Sequence, residues 1–201
     1  MLPTGRALDV IDGIEVSCVD MAMPMVLMRA EQFGKTGYET PAELDADRQL
    51  FAHMEAVRCQ AGAMMGLGDV AKLVVPKIGL LAAPRHGGAI TSRYFVPHSC
   101  HKAHAVTGAI CVASACAIGG TVAARLAPLG KAPQGVVKIE HPAGMIAVDL
   151  DADLSPHDVV IRRAALVRTA RRLFQGEVLV PEHVWGSAAG RARNRQAPAV
   201  A

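Results

Sequence analysis

The residues able to do chemistry crowd into HSCHKAHAVTGAICVASA, residues 98 to 115. There three histidines, a lysine and Cys100 stand directly before an uncharged run. Zinc could draw on His98, Cys100 and His101, yet tetrahedral zinc sites gather ligand pairs at regular spacing. Neither CxxC nor HxxxH occurs in the stretch, and adjacent Cys100 and His101 diverge on an extended chain. A thiol redox pair is worse placed, because Cys111 and Cys116 lie five apart on a helical run and do not face each other. Anion binding fits better. Thr107-Gly108-Ala109 sits where the uncharged helix begins, and a helix start leaves backbone N–H groups unpaired and partly positive. Gly108 has no side chain to keep a ligand from those amides. Arg93, His98, His101 and Lys102 lie just upstream and can add charge or move protons. A Thr-capped helix with solvated histidines would give the same pattern, so both readings stand on the residues alone.

The rest of the chain limits the function classes. Its 201 residues suffice for a real core, and its net charge of +3 comes with no basic stripe interleaved with aromatics. That argues against a nucleic-acid surface. The five cysteines are odd in number and irregularly spaced, which suits free thiols in a reducing cytosol. Ala105 to Ala124 is uncharged for 20 residues, but seven are Ala and three are Gly. Such a segment reads as the buried centre of a globular fold rather than a membrane span.

The elements that must position these residues follow in order. IEVSCV (14–19) alternates as a strand, Pro24 interrupts, and MVLM resumes extended structure. Thr40-Pro41 marks a helix start, and Leu44, Leu50, Phe51, Met54 and Val57 form the stripe of one long amphipathic helix. KLVVPKIGLLAAP and ITSRYFVP read as strands, and the uncharged helix follows. VVKIEHPAGMIAVDLDAD is a hairpin turning at His141–Gly144. VVIRRAALVRTARRLFQGEVLVP gives a strand, a turn and a last strand. His53, His141 and the Arg168, Arg171, Arg172 group read as surface or turn residues. The class is α+β, mostly antiparallel strands around one buried helix.

Seven blocks carry a family resemblance: VDMAMPMVLMRA, TGYETPAELDAD, QAGAMMGLGDV, VPKIGLLAAP, RYFVPHSCHKAHAVTGAICVASA, IEHPAGMIAVDLD and LVRTARRLFQGEVLVP. In this order they resemble the 4-oxalomesaconate tautomerase group of the methylaconitate-isomerase-like (PrpF) family, with its diaminopimelate epimerase-like fold. The resemblance implies two lobes, each a sheet wrapped around a central helix, with both helix starts facing a shared cleft. Thr107-Gly108-Ala109 then match the Thr-Gly-Ala of the epimerase motif, Ala105 stands where its catalytic Cys would be, and Met23 stands where a turn Asn would be. The implied reaction is cofactor-independent allylic proton transfer between keto and enol forms of a small tricarboxylate, in gallate or protocatechuate breakdown, in the cytoplasm, with no metal.

On this reading residues 1–187 are the C-terminal lobe and 188–201 a disordered tail. The first lobe, with the family's proton-transferring Lys and Cys, is largely absent, so a separate first lobe or a homodimer is the implied partner. His98, Cys100 and His101 are the candidate acid–base residues. Arg93, Thr107, Gly108 and Ala109 are candidates for carboxylate binding, with Met23 and Pro24 as pocket wall. The alternatives are a methylaconitate-type cis/trans isomerase and a truncated inactive lobe acting as an assembly partner.

Overall fold

The structure is a computed structural model that describes residues 1–127, 129, 134–154, 159–181 and 184. The tail expected at 188–201 lies outside the described residues. Two compact units divide the chain, 1–167 and 168–201.

The first unit is built on one sheet. Its strands are Asp9–Ile11 (β1), Ile14–Asp20 (β2), Pro24–Arg29 (β3), Lys77–Ala82 (β4), Ile90–Val96 (β5), Ser99–Cys100 (β6), Gln134–His141 (β7), Gly144–Leu154 (β8) and Val159–Leu166 (β9). They lie in the order β1-β2-β3-β4-β5-β7-β8-β9, with β6 paired to the far part of β5. The pairs β3–β4 and β5–β7 are parallel and the others antiparallel. β5 and β7 share only two register pairs, Ile90↔Ile139 and Thr91↔Glu140.

Side-chain alternation along the strands supplies two cores. One face packs on Val106–Ala117 (α3) and Val122–Leu126 (α4), with Leu27, Ile90, Tyr94, Ile139 and Val148 buried against Ala109, Val112, Ala113 and Cys116. The other face packs on Pro41–Asp45 (α1) and Arg48–Met64 (α2), where Val26, Met28, Leu80 and Phe95 meet Leu44, Met54 and Val57. Each fully buried Leu, Val or Ile contributes about 1.5–3 kcal/mol. The small residues of α3 let the curved sheet close around it. Ser17 ties strand to helix: its hydroxyl donates to the Ala7 carbonyl at 2.6 Å and accepts the Val122 amide at 2.9 Å.

Three expectations are corrected. The long amphipathic helix is two helices, because Asp47 Oδ1 accepts the Leu50 amide at 2.9 Å and caps a new start. A short polar side chain that bonds nearby backbone competes with helix continuation. The uncharged run is also two helices: Gly120 takes φ +87° and Thr121 caps α4. The final strand over GEVLVP does not form. Residues 168–181 carry no regular structure and are exposed, Leu179 at 91%.

Glu140 holds the loop between β4 and β5. Its carboxylate accepts the amides of Arg85 (2.8 Å), His86 (2.5 Å) and Gly88 (2.9 Å) and the Thr91 hydroxyl (2.9 Å). Burial pushes its pKa up, but these four donors outweigh burial and hold it at about 2. A depressed carboxylate stabilises the fold above its unfolded value, and that contribution is lost as pH falls towards the folded one. Glu140→Gln should cost about 2–3 kcal/mol at neutral pH. Urea midpoints should fall more steeply between about pH 4.5 and 2 in the wild type than in the variant.

Candidate active site

The start of α3 leaves backbone donors without a side-chain cap. Its N-cap is Ala105, which supplies no side-chain hydrogen bond. Thr107, expected as a possible cap, lies inside the first turn. The amides of Val106, Thr107 and Gly108 fall among those a helix leaves without an internal acceptor. Ala109 differs, because its amide donates to the Ala105 carbonyl at 2.9 Å.

Gly108 is glycine for a packing reason that spacing did not reveal. A Cβ there would lie 2.4 Å from Tyr94 Cε2, and Tyr94 is 2% exposed. A Cβ would force this buried ring to shift. The ring also stands edge-on to His101, with centroids 6.0 Å apart, and 5.1 Å from His104. Tyr94 thus joins the helix start to the two histidines.

Sequence reasoning missed His104, although it lies within the opening stretch and immediately precedes the cap. It is buried. Its Nδ1 is 3.0 Å from the Ala105 carbonyl and its Nε2 is 3.0 Å from Ser92 Oγ. A carbonyl only accepts, so Nδ1 carries the proton and Nε2 accepts from the Ser92 hydroxyl. Burial, reinforced by the His141 and His101 charges against the bond to Ala105, lowers its pKa to about 4. His104 is therefore neutral at pH 7, with both nitrogens occupied, and it fixes the cap.

His101 is different. Its Nδ1 accepts the Ala103 amide at 3.0 Å, which places the proton of the neutral ring on Nε2. Nε2 takes no acceptor among the described residues. Met23 packs with Met21 against the α3 core, in a turn where Ala22 adopts φ +63° and Pro24 opens β3.

The remaining candidates lie elsewhere. His98 is exposed in the β5–β6 turn, where its charge acts on Glu55 of α2. Cys100 is buried in the α2-side core; its amide donates to Asp45 Oδ1 at 2.6 Å, and burial pushes its thiol up to about 12. Arg93 follows strand alternation to the face opposite Tyr94, where Nε donates to the Glu39 carbonyl at 2.8 Å. The structure therefore unites His101, His104, Tyr94 and the first turn of α3, and separates His98, Cys100 and Arg93 from them. Cys111 and Cys116 are also pushed to about 12 by burial, so both thiols are inert.

The match that decides the family runs over residues 1–181, to the PrpF protein family. The chain belongs to the PrpF family. A putative isomerase, YbhH, of Escherichia coli is 49% identical over 181 residues, covering 90% of this chain and 51% of that protein. The 4-oxalomesaconate tautomerase of Pseudomonas putida is 45% identical over 186 residues, covering 92% of this chain and 50% of that one. The crystal structure of a methylitaconate-delta-isomerase superposes with a TM-score of 0.70 at 27% identity, covering 83% of this chain and 49% of its own. The fold is thus the expected diaminopimelate epimerase-like lobe, and the chain spans about half the length of the relatives it matches. In this PrpF lobe no helix among the described residues is long and apolar enough to cross a membrane.

Two measurements check this geometry. Gly108→Ala should destabilise the lobe by about 1–3 kcal/mol in urea unfolding, since a buried ring must move. The depressed His104 pKa makes the unfolded state bind more protons between about pH 6.5 and 4, so stability present above pH 6.5 is lost on acidification. The loss is about 3 kcal/mol, and His104→Gln should flatten the slope of Tm against pH in that window.

Proposed function

We propose that this chain is one lobe of an isomerase that interconverts keto and enol forms of 4-oxalomesaconate, or a closely similar small tricarboxylate, by allylic proton transfer in aromatic-acid breakdown. The observation that carries the proposal is the uncapped start of α3 beside His101. Three first-turn amides are directed donors for a substrate carboxylate. In the reaction a base takes a proton from the carbon beside the ketone, the electron pair spreads as a dienolate, and an acid returns one proton to its other end. Fixed dipoles stabilise that spreading charge without reorganising. In this reading His101 Nε2–H donates to a developing oxyanion, and Met23 and Pro24 form apolar wall. His104 is a positioning residue that holds the Ala105 cap.

The names of the 44–49% identical relatives, a 4-oxalomesaconate tautomerase and a (4E)-oxalomesaconate Delta-isomerase among them, support the substrate. Half-length coverage of those relatives supports reading residues 1–187 as one lobe that works against a second. We place the enzyme in the cytoplasm, in keeping with five free cysteines.

An ultraviolet assay of 4-oxalomesaconate conversion tests the reading, with this chain alone and with a homologous first lobe added. Conversion is expected only with the added lobe. In that pair His101→Phe should lower kcat by about 100-fold, as loss of a general acid does. No conversion in either arrangement would sink the proposal.

A further inference from the structure

Across the sheet from α3 lies a cavity of about 500 Å³, bounded by β5, the loop after β4 and the β7–β8 turn. Its size suits a small organic ligand. Two guanidinium groups line it. Arg93 is 6% exposed and its Nε is spent on the Glu39 carbonyl. Nη1 reaches the Ser92 carbonyl only at 3.4 Å, and Nη2 takes no acceptor among the described residues. Arg85 lies flat on the Tyr38 ring, 3.4 Å from its centroid, and its edge N–H groups are likewise without a partner there. Neither forms a salt bridge among the described residues.

Glu140 also lines the cavity, and its charge and that of Glu39 act on Arg93 only from a distance, with no salt bridge among the described residues. Each oxygen of Glu140 already accepts two donors, so its lone pairs are filled. Burying a cation without a carboxylate in contact with it is costly, and the Arg93 fork lines open volume. His86 and His141 also line it.

We propose that this cavity is a second binding site, distinct from the α3 start, which takes a small di- or tricarboxylate between Arg93 and Arg85. A planar carboxylate matches the two-donor fork of a guanidinium, and two forks at one cavity favour an anion with more than one carboxylate. Stacking on Tyr38 pre-orients Arg85 and lessens the ordering cost of binding. The site goes beyond the isomerase reading and does not depend on it.

The test is an amide NMR titration of the chain with citrate and, separately, inorganic phosphate. Citrate should give saturable shifts at Tyr38, Arg85, His86, Arg93 and Met145. Arg85→Ala, at an exposed position where folding is unaffected, should weaken citrate about tenfold. Arg93→Lys, which keeps the charge and loses the fork, should also weaken it. The proposal is overturned by citrate shifts confined to residues 106–108, by no saturable shift, by phosphate binding in place of citrate, or by both variants binding like the wild type. The isomerase assay is read independently, so failure here leaves that reading standing.

Discussion

The structure depends on one constraint: a twelve-residue helix without a charged side chain must be enclosed by a sheet. Backbone hydrogen bonds satisfy the helix internally, but only small side chains let strands approach it closely on several sides. Ala109, Ala113, Ala115, Cys116 and Ala117 meet that need. The approach is tightest at Gly108, where the Tyr94 ring occupies the space a Cβ would fill. Enclosure covers the flanks of α3 and leaves its first turn as the open end. Val106 there is 46% exposed, whereas Ala109 is fully buried.

β5 distributes chemistry between the two faces of the sheet. Ser92 and Tyr94 point to α3 and join the histidine cluster, while Thr91, Arg93 and Phe95 point away. Period-two alternation alone makes Arg93 and Tyr94, neighbours in sequence, residents of different sites. The short pairing of β5 with β7 has a related effect. Beyond Thr91↔Glu140 the strands part, β6 takes over the edge of β5 at Phe95, and a gap opens beside Arg93.

This division explains what was legible in the sequence. Composition and periodicity identified the buried helix with its start near Ala105 and most strands up to the β7–β8 hairpin, because each rests on local pattern. What failed was the grouping of His98, Cys100 and Arg93 with that start. Proximity in sequence says nothing about which way a hairpin turns its side chains, and the Pro97-His98 turn carries His98 towards α2. Gly108 was read as access for a ligand, yet its contact is Tyr94, fourteen positions earlier and visible only in three dimensions. Glu140 and Arg85 were invisible for the same reason: they meet across 55 residues. The strand expected over GEVLVP has a run of apolar and β-branched residues, but such a run becomes a strand only where a neighbour pairs with it.

The two proposed sites differ in how they tolerate being empty. The α3 start offers positive potential from backbone amides, with His104 beside it held neutral and locked by Ser92 and Ala105. Amides at an open helix end are satisfied by water, so the lobe loses little when no substrate is bound. Arg93 stands under another condition. It is a permanent charge, 6% exposed, paired only with carbonyls, and its surroundings gain most when a carboxylate arrives. A reaction site benefits from the first arrangement, because donors that cost nothing when empty can be spent on the transition state. A site of the second kind is suited to sustained occupancy, which separates the chemistry assigned to the helix start from the binding assigned to the cavity across the sheet.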